Sequence, residues 1–100
     1  MDRIDRVSKM EKNLDDANSV IRKLREALDE YSDAQQKIAE LKDYYSGDWM
    51  QDYEADAAGL LPRELKRGVL SEDAVFDLIS DDRELRHELI ELAKKLSEEL

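Results

Sequence analysis

The chain has 100 residues, of which 42% are charged and 41% hydrophobic, with a formal net charge of -10 and no cysteine. Disulfides, thiolate chemistry and cysteine-based zinc sites are excluded, and a surface this negative repels nucleic-acid phosphate and anionic lipid. The charge is uneven: residues 1–42 hold ten acids and nine bases, whereas residues 43–100 hold sixteen and seven.

From Val7 the apolar positions run Val7, Met10, Leu14, Ala17, Ile21, Leu24, Leu28 and Tyr31, then Gln35 and Ile38. Steps of three and four alternate without a slip, which is a heptad seam. No Gly or Pro occurs before Gly47. The spacing therefore predicts one coiled-coil-like helix over 1–44, about 60–65 Å long at 1.5 Å per residue. Val20, Ala27, Ala34 and Leu41 repeat every seven residues beside the seam, so the apolar face widens after residue 20. A wide face suits several neighbours and a narrow one a single partner helix.

Residues 45–70 read as a cap of two short linking helices. Gly47 ends the long helix, and Ser46 or Asp48 is placed to cap a short helix bearing Trp49, Met50 and Tyr53. Gly59 closes it. Pro62 opens "PRELKR" as a second short helix, with Gly68 at its left-handed C-terminal position. Ser71 then caps a returning helix over 71–100, with Glu72 and Asp73 in its first turn. Its seam is Val75, Leu78, Asp82, Leu85, Leu89, Leu92 and Leu96. Asp82 is the one polar member, and Asp81 with Glu84 has capping-box spacing, so a bend or brief interruption is expected there. The fold class is all-α: one helical domain in which the C-terminal helix returns antiparallel along the wide half of the first.

"DYYSGDWMQDYEAD", "GLLPRELKRGVLSEDAVFDLI" and the opening "MDRIDRVSKMEKNLD" resemble an uncharacterised bacterial family, the domain of unknown function numbered four-two-nine-eight. The likeness spans almost the whole chain, and LKRGVLSEDAV is its most specific part. The resemblance implies a small cytosolic bacterial protein and brings no reaction, cofactor or catalytic residue.

Chemistry has little to work with. Glu84-x-x-His87 has the spacing used in di-iron carboxylate bundles, but His87 is the only histidine, so a second such pair would have to come from another copy. Asp48, Asp52 and Asp56 form a carboxylate ridge. As a calcium loop it fails, with Tyr53 where Gly is required and Gly59 where Glu is required. No Gly-rich phosphate loop exists, and Ser46, Ser71 and Ser80 read as caps or turns. No catalytic, metal or cofactor-binding residue is assigned, and an enzyme is not expected.

What remains is association. Arg63, Lys66 and Arg67 form a basic cluster beside the aromatic and acidic segment containing Trp49, Asp52, Tyr53 and Asp56. These seven residues are either a cap with complementary charge or a docking patch for a protein partner, since Trp, Tyr and Arg dominate interface hot spots, and the negative charge of the chain leaves room for a basic one. A returning helix of about 27 residues cannot cover a seam of about 40. Ile4, Val7, Met10, Leu14 and Ala17 are thus expected to pair with a second copy, giving a homodimer of undefined orientation. The favoured function is a non-catalytic interaction or scaffold module. The alternative is an acidic mimic of nucleic acid that occupies a basic groove. No apolar run reaches membrane-span length and the N-terminus lacks a secretory apolar region, so a soluble cytoplasmic protein that binds neither membrane nor nucleic acid directly is expected.

Overall fold

The computed structural model describes residues 2–100; residue 1 lies outside them. Three α-helices occur, α1 (Arg3–Ser46), α2 (Trp49–Ala57) and α3 (Ala74–Ser97), with a 3-10 turn at Gly68–Leu70 and, among the described residues, no strand. The all-α architecture and the long first helix match the reading of the sequence. None of the helices is long and apolar enough to cross a membrane. The chain divides into two compact units, Met1–Lys37 and Ile38–Leu100, with the boundary inside α1.

The first unit is helical from Arg3 onward. Its start is capped by Asp2, whose carboxylate accepts the Asp5 backbone N–H at 2.8 Å and satisfies one of the donors that a helix N-terminus leaves unpaired. Lys12 and Asp16, one turn apart, form an exposed ion pair at 2.9 Å, of the kind that adds a few tenths of a kcal/mol, about 0.3–0.5, to a helix. No residue of α1 is buried.

The second unit contains the residues buried among those described: Trp49, Leu70, Val75 and, alone among charged groups, Asp82. α1 stops at Gly47 because its amide turns back to the Tyr44 carbonyl at 3.1 Å. A Cβ there would lie 3.0 Å from the Asp43 carbonyl oxygen, so a side chain would crowd the turn. Gly59 terminates α2 at φ +75°. Its N–H reaches Asp56 and that of Leu60 reaches Ala55, both at 3.0 Å; this pair of reversed bonds is the Schellman closure, which needs a left-handed residue. The 3-10 turn then packs against both α2 and α3.

Several local expectations fail. Residues 62–67 form no helix, only a single turn in which the Leu65 N–H donates to the Pro62 carbonyl at 3.2 Å. Six residues offer too few i→i−4 bonds to offset nucleation, and the Arg67 guanidinium takes the Pro62 carbonyl as an acceptor. Gly68 is accordingly not left-handed; it opens the 3-10 turn. The predicted caps fail as well. The Ser46 hydroxyl bonds back to the Lys42 and Asp43 carbonyls. The Ser71 hydroxyl bonds to the Gly68 carbonyl at 2.8 Å. Asp48 and Asp73 hold the N-cap positions of α2 and α3 without a side-chain cap bond. Finally, α3 runs unbroken through Asp81. Asp82 sits buried in that helix and is paired to Arg86 one turn on at 3.0 Å, so the polar residue is accommodated by a partner rather than by a bend.

Candidate functional site

Two regions of the sequence invited a partner, the cap around Trp49 and the seam of α1. In the cap, α2 begins one turn after α1 ends, which brings Tyr45, Trp49 and Tyr53 into one cluster. Trp49 stacks on Tyr53 with centroids 5.0 Å apart at 18° and meets Tyr45 at 5.3 Å and 58°. Both geometries are favourable for aromatic quadrupoles. The indole N–H donates to the Val69 carbonyl at 2.8 Å, tying α2 to the 3-10 turn. Trp49 is only 7% exposed.

The polar residues of the cap are engaged with one another. The Tyr44 hydroxyl donates to Asp52 at 2.6 Å, and the Tyr53 hydroxyl to Glu72 at 3.0 Å. Tyr44 is pushed up to about 12, first by that hydrogen bond, then by burial, then by the charges of Asp52 and Asp48. Tyr53 is raised too, mainly by its bond to Glu72. Each carboxylate favours the protonated phenol that donates to it.

Arg67 is the fastener of the connecting loop. It donates to the Asp56 carboxylate and the Pro62 carbonyl, and its Nε–H to the Leu65 carbonyl at 3.3 Å. A planar guanidinium presents several fixed donors, which a lysine would not reproduce. Among the described residues Arg63 and Lys66 make no ion pair, and both are exposed. The structure thus joins Trp49, Asp52, Tyr53, Asp56 and Arg67 into one internally bonded cap and leaves Arg63 and Lys66 on its surface. Glu84 and His87 are exposed on α3, and among the described residues no group of three carboxylates or imidazoles is placed to hold a metal ion.

The seam is different. Ile4, Val7, Met10, Leu14, Val20, Ile21, Leu24 and Leu28 are all between 45% and 77% exposed, and Ala17 is exposed with them. Along the seam, half-burial begins at Tyr31 and continues at Ala34, Gln35, Ile38 and Leu41. The open stretch therefore includes the five residues expected from the sequence and continues through Val20, Ile21, Leu24 and Leu28, which were expected to be covered. Nothing in α1 marks where cover begins, because the apolar spacing is unbroken across Leu28 and Tyr31. Single exposed apolar side chains are ordinary, but a contiguous line of them marks an interaction surface. Leu85, Leu92 and Leu96 of α3 are also exposed, between 43% and 51%.

No curated protein and no solved structure is significantly similar to this chain. The family model described as Domain of unknown function (DUF4298) matches residues 7–92, a span that takes in the open seam, the aromatic cap and most of α3. The chain belongs to the DUF4298 family.

Proposed function

We propose that this chain is a non-catalytic protein–protein interaction module whose docking face is the open seam of α1. One observation carries this reading: a heptad line from Ile4 to Leu28 whose large apolar side chains all remain at least 45% exposed. Burying a Val, Leu, Ile or Met side chain contributes roughly 1.5–3 kcal/mol each, so an unpaired seam forgoes much of the stabilisation its sequence offers. The cap serves as the folded anchor beside it in sequence, since its aromatic rings pack on one another and Asp52, Asp56 and Arg67 are engaged internally.

Mimicry of nucleic acid has no comparable support. Asp52, Asp56, Glu72 and Asp82, four acids of the more negative half, are partnered by Tyr44, Arg67, Tyr53 and Arg86 within the chain.

A photo-crosslinking residue at Leu14, on the seam, is expected to give a discrete adduct on illumination in native cells. The same residue at Glu26, on the opposite face and also exposed, should give none. Equal labelling from both positions, or adducts from neither, overturns the docking face.

A further inference from the structure

Resting on that reading, we infer that the occupant of the α1 seam is the α1 seam of a second copy, running antiparallel and related by a two-fold axis near Ser19. The placement of charge along the helix carries the inference. Residues 11–16 contain Glu11, Asp15 and Asp16 against Lys12, a net of -2; residues 22–26 contain Arg22, Lys23 and Arg25 against Glu26, a net of +2. All eight are exposed and lie in the first unit. Two copies running the same way in register set each block beside its own kind. Two copies running oppositely about Ser19 set the acidic block of each beside the basic block of the other, twice. Glu11 and Arg25 occupy equivalent heptad positions flanking the seam, and in the opposed arrangement these positions face each other across the pair. Such flanking charges govern partner choice and orientation in coiled coils. The same-direction arrangement gains only Arg6 against Glu11 and keeps the like-charged blocks together.

The shapes of the seam residues select the same arrangement. About that axis Leu14 of one copy meets Leu24 of the other, and Ala17 meets Ile21, a small residue against a large one. The same-direction pair would stack Ala17 on Ala17 directly beneath Ile21 on Ile21, a void next to a crowded layer. Close packing disfavours both. A symmetric pair of this kind is isologous and closes on itself, so it stops at two copies.

The chain has no cysteine, which makes the arrangement directly readable. Leu14→Cys protein labelled with nitrogen-15 and unlabelled Leu24→Cys protein, mixed in a thiol–disulfide buffer and resolved by mass, should give the mixed 14–24 disulfide well above the statistical half. Excess of the two homodisulfides would establish the same-direction pair and overturn the proposal. So would a dimer in which no disulfide forms, since something other than α1 would then cover the seam.

A second readout avoids the seam altogether. Glu11→Lys should weaken the dimer several-fold in light scattering across a dilution series, and Glu11→Lys with Arg25→Glu should restore it to within about twofold. If the protein stays monomeric at all micromolar concentrations while Leu14 still crosslinks in cells to another protein, self-pairing is wrong and the docking face stands. If Leu14 crosslinks to nothing, the docking face itself is wrong.

Discussion

Tyr44 gives the cap a pH dependence whose sign follows from one hydrogen bond. Its hydroxyl donates to Asp52, and the folded chain holds that proton up to about 12 against an ordinary value of 10.0. Between those values the unfolded chain has released a proton that the folded chain keeps, so stability falls as pH rises. The contribution is complete below the unfolded value and is lost as pH passes through the folded one. Tyr53 is shifted in the same direction and adds to the same slope. Denaturant unfolding followed by Trp49 fluorescence should therefore show a midpoint that declines from about pH 10 to about pH 12. Tyr44→Phe should cost about 0.5–1.5 kcal/mol at neutral pH, the worth of a typical intramolecular hydrogen bond. It should also flatten the alkaline decline without abolishing it, because Tyr53 remains. An unchanged slope in Tyr44→Phe would show that the bond to Asp52 does not hold the proton in solution.

At the scale of elements, two glycines that look alike in sequence do different work. Gly59 closes α2 at φ +75°, and an added Cβ would meet nothing within 4 Å. The cost of Gly59→Ala is therefore backbone strain alone, about 1–2 kcal/mol. Gly68 has the same open surroundings and no positive φ. Gly68→Ala should be neutral or stabilising by about 0.4–1 kcal/mol through the unfolded chain. Thermal melts of the two variants should move in opposite directions, or only the first should move. Reading both glycines as helix ends explains where the sequence misleads. At Gly59 a nine-residue helix precedes it, and the expectation holds. At Gly68 only the six residues from Pro62 precede it, too few to nucleate, and Arg67 bonds to the carbonyl of Pro62. Asp82 misleads for a related reason: a lone polar residue on an apolar line looks like a break until Arg86, four residues on, is seen to pair with it. Long helices and the α2 closure were legible because period and glycine act locally. Caps and the 62–67 loop were not, because Ser46, Ser71 and Arg67 each chose among several nearby carbonyls. At the candidate site, the open seam was legible as far as Ala17; its continuation to Leu28 depends on what is left uncovered in three dimensions, which spacing does not encode.

Over the whole molecule, buried residues and open seam belong to different units. Trp49, Leu70, Val75 and Asp82 all lie in Ile38–Leu100, whereas residues 4–28 carry an apolar line with no burial of their own. A helix without tertiary packing draws its stability from propensity and short-range pairs, and such helices are marginal in water. The two units should then respond differently to dilution. If the seam is paired, far-UV circular dichroism should lose helical signal as concentration falls through the dissociation range, up to the share that residues 3–28 contribute. Trp49 fluorescence should stay constant over the same range, because its stacking on Tyr53 and its bond to Val69 lie within one chain. Amide hydrogen exchange should show the same division, with protection at residues 5–28 falling on dilution and protection around Trp49 and Val75 unchanged. A helical signal that holds constant while the measured mass changes from dimer to monomer would show that α1 stands without a partner. The exposed seam would then select what binds, but it would not be needed to keep the helix formed.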